Sequence, residues 1–166
     1  MTFVADLHIH SHFSRATSPS LVPETLSLWA QKKGIALVGT GDFTHPGWVS
    51  ELREKLTESE NGLYKLREGL RNRVDEELPP SCIAPTRFLL TGEISCIYKR
   101  GGRTRKVHNL VLMPDFETVE KFNRRLAHIG NIKSDDSRNL GLDSRELLEI
   151  ALESSDRMFF IPAHIW

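Results

Sequence analysis

The chain has little cysteine, no long apolar run and no net charge. Cys82 and Cys96 are its only cysteines, and no Cys-x-x-Cys spacing joins them. A reduced intracellular setting, cytoplasmic, therefore fits better than a disulfide framework. No apolar stretch approaches the roughly 18 residues of a membrane span, and the first residues lack the apolar core of a secretory leader, so neither is expected. Lys+Arg and Asp+Glu both number 22, which excludes a strongly basic nucleic-acid footprint over the whole molecule but leaves room for a local patch. There is no internal repeat, low-complexity tract or linker. A chain of 166 residues and 18.9 kDa suits one domain with a single core.

What is present is chemistry at the ends of apolar segments. Val4-Ala5-Asp6-Leu7-His8-Ile9-His10-Ser11 places a His-x-His pair at the end of a first strand, read over residues 3–9. Residues i and i+2 of a strand share a face, so the two imidazoles stand about 7 Å apart along it, as half of a zinc site. Pro23 opens a helix that Gly34 closes, and Ile35–Val38 reads as a strand buried on both faces. The loop 39–47 leads to a helix with Trp48, Leu52 and Leu56 on its inner side. Residues 57–80 are charged and weakly periodic, with a helix over 66–77 stopped by Pro79-Pro80. Strands follow over 87–98 and 106–113, joined through Gly101-Gly102, a two-residue hairpin signal. Asp115 caps a helix over 116–127, residues 130–142 form a polar loop, and Asp143-Ser144-Arg145-Glu146 opens a helix to about Ser154. Met158–Ile161 is read as a final buried strand, with Phe159 and Phe160 in the core. This alternation gives an α/β fold with a largely parallel sheet and one inserted hairpin.

Ligand-type residues cluster in that plan. His8 and His10 close the first strand, Asp42 lies past the second, Glu93 is late in the third and His164 ends the last. In parallel α/β folds the carboxyl ends of strands meet on one rim. His108 starts its strand, but a two-residue turn pairs Arg100 with Arg103 and hence Ser95 with His108, which sets His108 diagonal to Glu93 and within reach of it. Asp42 and Glu93 are the candidate catalytic carboxylates. His8, His10, Asp42, Glu93, His108 and His164 are the candidate metal ligands. His12 is expected to be a solvated loop residue, His45 to shape its loop before Pro46, and His128 to be structural. Lys99, Arg100, Arg103, Arg105 and Lys106 read as an exposed hairpin tip, with phosphate binding as the sharper alternative.

Five segments taken together resemble the PHP (polymerase and histidinol phosphatase) family. They are Asp6–Ser11, Gly39-Thr40-Gly41-Asp42, Thr91-Gly92-Glu93-Ile94-Ser95, Val107-His108-Asn109-Leu110 and Pro162-Ala163-His164. The segments 10–18, 41–46, 141–150 and 161–166 are most similar to the endonuclease Q group of that family. The resemblance implies a distorted β/α barrel, of which residues 1–166 would be an incomplete amino-terminal part, with divalent metal ions at its site. Zinc suits a histidine-rich ligand set and manganese a more carboxylate-rich one. It also implies hydrolysis of DNA beside deaminated bases such as uracil and hypoxanthine. Where many members carry a further His or Asp, this chain reads Ser14-Arg15-Ala16, which leaves Arg15 to meet a substrate phosphate. The family's last Asp-x-His motif would lie beyond His164. Impaired catalysis and self-association, or completion by a missing carboxyl-terminal part, are therefore expected of this chain. A small-molecule phosphoesterase and a non-catalytic metal-binding module remain the alternative functions.

Overall fold

Local signals set most of the elements in the computed structural model, which describes residues 2–129 and 141–165. Most of the polar loop expected over 130–142 and Trp166 lie outside the described residues. After β1 (Val4–Asp6), Pro23 opens α1 (Pro23–Lys33), and Gly34 closes it at φ +70°, a conformation that costs glycine little. β2 is Ile35–Gly39, and α2 is Pro46–Lys55 with His45 as its N-cap. Next come β3 (Leu56–Glu60), β4 (Leu63–Leu66), α3 (Glu68–Glu76) and a short 3-10 turn over Pro80–Cys82. β5 (Arg87–Arg100) and β6 (Arg103–Met113) form a long ribbon. α4 (Phe116–Ile129) starts where the Asp115 carboxylate accepts the Thr118 amide. α5 (Ser144–Ser154) starts at a reciprocal capping box between Asp143 and Glu146, and β7 is Phe159–Ala163.

The fold is mixed α/β around a curled half-barrel sheet. β5 is its spine. Residues 87–89 of β5 pair with β2, Phe88 pairs with Tyr64 of β4, and residues 90–100 pair with β6. Among the described residues parallel pairing is confined to β1–β2 and β2–β5, whereas β3–β4, β4–β5, β5–β6 and β6–β7 are antiparallel. The largely parallel sheet expected from the sequence is corrected by two tight turns. Asn61-Gly62, a hairpin signal inside the stretch read as weakly periodic, joins β3 to β4, and Gly101-Gly102 joins β5 to β6. A two-residue turn can only connect antiparallel neighbours. The Gly101-Gly102 register is the expected one: Arg100 faces Arg103, Ser95 faces His108 and Glu93 faces Leu110.

Strand direction still collects the ligand-type residues. β1, β2 and β5 run parallel; β7 is antiparallel to β6, which is antiparallel to β5, so β7 shares their direction. Along β5 the faces alternate. Phe88, Leu90, Ile94 and Cys96 enter the core with Trp48, Leu52, Phe122, Leu126 and Leu147. Gly92 leaves room there for Phe43, because a Cβ would stand 3.3 Å from its ring. Thr91, Glu93 and Ser95 point to the other face.

That other face is open along β7. Cross-strand pairs Leu112–Phe159, Leu110–Ile161 and His108–Ala163 put Phe159 and Ile161 on the face of Glu93. Phe159 is 68% exposed and Ile161 41%, so among the described residues this strand is a sheet edge and not the buried strand expected; of the stretch 158–161, Met158 and Phe160 pack against the core. An apolar edge strand with unpaired backbone groups invites pairing with another chain. The 166-residue chain should associate with rising concentration in sedimentation experiments, and Phe159→Lys with Ile161→Lys should shift it toward monomer without changing its circular dichroism. Undiminished association of that variant contradicts the assignment of this edge.

Candidate metal centre

The centre begins with two glycines that let three strand ends touch. A Cβ on Gly39 would lie 2.5 Å from the Leu7 carbonyl oxygen and 2.6 Å from Thr91 Oγ1, and one on Gly41 would lie 2.5 Å from the Ile9 oxygen. Glycine at both places allows the turn after β2 to lie directly against the Leu7–His10 backbone. Gly41 at φ +67° and Asp42 at φ +44° then reverse the chain. The turn is held by Trp48, whose indole donates to the Gly41 and Thr40 carbonyls at 2.9 and 3.2 Å, and by Thr91, whose hydroxyl accepts the Gly41 amide at 2.9 Å. A left-handed aspartate costs about 1–3 kcal/mol and persists where its surroundings fix it. Here the Ser11 amide and hydroxyl both donate to Asp42 Oδ2, at 2.7 and 2.8 Å.

Glu93 is the hub. Its carboxylate is 6% exposed. Oε1 lies 3.3 Å from His8 Nε2, 2.7 Å from His108 Nδ1 and 3.3 Å from His164 Nε2. Oε2 lies 3.3 Å from His10 Nε2, whose Nδ1 is 3.2 Å from Asp42 Oδ1. The donor atoms form two groups, His8–His10–Glu93 and Glu93–His108–His164, and within each group all lie within 4.8 Å of one another. Either group could hold a metal ion. His164, like Asp42, has a left-handed backbone, at φ +56°.

The electrostatics follow from this packing. Burial alone raises the Glu93 pKa, but hydrogen bonds from His10 and His108 and the positive charge around it hold it well below the usual carboxylate range. Burial likewise opposes ionisation of Asp42, and its bonds to His10 and Ser11 outweigh it, so its pKa is lowered. His10 is pushed up to about 9, first by its hydrogen bond to Asp42 and then by that to Glu93.

Several sequence expectations shift in detail. β1 ends at Asp6, so His8 and His10 lie on the extended segment beyond it, with ring centroids 6.3 Å apart. Asp42 contacts His10 and belongs to neither ligand group, and Arg15 is exposed on the following loop. His12 is not a solvated loop residue: its Nε2 is 2.7 Å from Glu51, and its ring meets Phe13 and Trp48. His45 caps α2 and stacks on Phe13, and His128 sits 2.6 Å from the Arg124 carbonyl. Ser11, Thr91 and Trp48 hold the centre, a role that residue spacing does not assign to them. Only their nearness to His10, Glu93 and the Gly-Thr-Gly-Asp turn could have signalled them.

No family model matches the chain. Over 146 residues it is 30% identical to the uncharacterized protein MJ0043 of Methanocaldococcus jannaschii, a stretch that is 87% of this chain and 14% of that protein. It is similar to the crystal structure of the lesion-specific endonuclease PfuEndoQ from Pyrococcus furiosus, with a TM-score of 0.72 and 29% identity over 99% of this chain and 35% of that one. A crystal structure of endonuclease Q with a 27-mer duplex substrate carrying an abasic lesion at the active site gives a TM-score of 0.67 and 29% identity, over 94% of this chain and 33% of that one. The chain thus has an endonuclease Q-like fold and spans about a third of those endonuclease chains.

The raised His10 pKa has a direct consequence for the metal-free protein. A group whose pKa rises from 6.5 to about 9 on folding contributes stability that is complete below the lower value and lost as pH climbs through the upper one. Thermal midpoints of chelator-treated protein should therefore fall across this window, and His10→Gln should flatten that part of the profile. Superimposable profiles for the two proteins contradict the His10–Asp42–Glu93 linkage.

Proposed function

We propose that this chain carries the metal-binding catalytic centre of a DNA endonuclease of the endonuclease Q kind, within a PHP-type barrel of which it forms the amino-terminal part. The observation that carries the reading is the pair of two-histidine ligand groups sharing Glu93 on one face of an endonuclease Q-like fold. The donor chemistry fits divalent metal: each group offers two imidazoles and a carboxylate, the set that catalytic zinc takes when one position stays open. His8, His10 and Glu93 would hold one ion, and Glu93, His108 and His164 a second, with zinc favoured by the excess of imidazole. Bound metal of this type supplies Lewis acidity toward a phosphoryl oxygen and activates water near neutral pH.

The protein's own residues do the positioning. Asp42 occupies the ring nitrogen of His10 that does not face Glu93, which fixes the tautomer and leaves Nε2 as the donor. Ser11 in turn fixes Asp42. Arg15, exposed beyond the His-x-His segment, would take a phosphate of the substrate. The substrate is duplex DNA cut beside a damaged base such as uracil or hypoxanthine. Turnover by this chain is slow, because His108, His164, Phe159 and Ile161 leave the metal-bearing face open to water. Fixed dipoles and charges act most strongly where water is excluded.

Single-turnover assays with excess protein separate the possible activities. With zinc or manganese present, a duplex containing uracil, hypoxanthine or an abasic site should be nicked in preference to an undamaged duplex and to phosphate monoesters. His8→Ala with His10→Ala should lower that nicking roughly a thousandfold, equivalent to about 4 kcal/mol. Preferred monoester hydrolysis would identify a small-molecule phosphoesterase instead. Stoichiometric metal without any hydrolysis would identify a non-catalytic module.

A further inference from the structure

We propose that one face of the β5–β6 ribbon is a track for the backbone of the cut DNA strand, leading from Glu93 and His108 out through Lys106 to Lys99. This rests on the endonuclease reading and assigns it a substrate-binding surface. Directly opposed residues of an antiparallel pair share a face. The register pairs Ser95 with His108, Ile97 with Lys106 and Lys99 with Thr104. Alternation along β5 puts Glu93, Ser95, Ile97 and Lys99 on that same face. Lys106 is therefore the next side chain outward from His108, about 7 Å along the strand, and Lys99 stands about 20 Å outward from Glu93. A DNA strand carries a charge about every 3.4 Å along the helix axis, so this length runs beside several phosphates.

The two faces of the ribbon differ in that one carries the metal ligands and the other turns away from them. Tyr98, Arg100, Arg103 and Arg105 share the opposite face. There Arg100 is already neutralised by Asp143 at the start of α5, at 2.8 Å, and lies over the Tyr98 ring. Lys99 and Lys106 are exposed and pair with no carboxylate among the described residues. In a chain with no net charge, two free lysines in line with the metal ligands form a local basic feature suited to a polyanion. They make no distinction among bases, because phosphate contacts position a duplex and do not read it.

The face assignment can be tested with variants of equal charge. Binding of a fluorescent lesion-containing duplex is measured in EDTA, to prevent turnover, over a range of salt. Each phosphate contact contributes about 0.9 to the slope of log affinity against log salt. Lys99→Ala with Lys106→Ala should lower that slope by roughly 1.8, whereas Arg103→Ala with Arg105→Ala, the same charge change on the other face, should leave it unaltered. Both double variants should keep the zinc content of the parent. Equal losses from both faces, or an unchanged slope for the lysine variant while the parent binds DNA, overturns the track alone. Failure of the parent chain to bind DNA overturns the track together with the endonuclease reading.

Discussion

A carboxylate taken out of water must be met by positive charge or hydrogen-bond donors, and Glu93 is met by four histidines. Their arrangement draws on three separate parts of the chain: the segment after β1, the middle of β6 and the end of β7. Without cations, such a cluster relies on imidazolium, as the raised His10 pKa indicates. Divalent ions satisfy the same carboxylate while leaving the histidines neutral, their ligating form. A divalent ion held by His10 would therefore have to displace its proton.

The sheet makes this possible through one long strand and two close approaches. β5 pairs with β2 at its start and β6 along the rest, so Glu93 is fixed from both the parallel and the antiparallel part of the sheet. Gly39 and Gly41 admit the Leu7–His10 backbone, and no residue with a Cβ could do so without displacing a carbonyl. The left-handed backbone at Asp42 and His164 lies at this cluster, and at Asp42 the hydrogen bonds from Ser11 hold it. The face opposite Glu93 is closed by Phe43, Ile94, Val111, Phe122 and Leu147, which gives the open face a rigid support.

Much of this was legible from residue spacing. The Gly101-Gly102 turn fixed the β5–β6 register, and with it the approach of His108 to Glu93, because a two-residue hairpin leaves no freedom of phase. The cap at Asp143 and the stop at Gly34 follow from local hydrogen bonding and are as expected. The β3–β4 hairpin was hidden because Thr57, Glu58, Ser59 and Glu60 are polar enough to pass for a charged loop, although Asn61-Gly62 marked its turn. Sheet polarity is not legible in the sequence, because α/β alternation and two hairpins produce similar strings of elements. The role of Ser11 and the pairing of His12 with Glu51 depend on contacts more than thirty residues apart in sequence, which no local pattern encodes.

Metal stoichiometry tests whether Glu93 serves two ions. Equilibrium dialysis against zinc followed by elemental analysis should find two ions per chain in the parent protein. His108→Ala with His164→Ala should retain one ion, and Glu93→Gln, with its fold verified by circular dichroism, should retain neither tightly. Two tightly held ions in Glu93→Gln, or no change in stoichiometry when His108 and His164 are removed, would contradict the account.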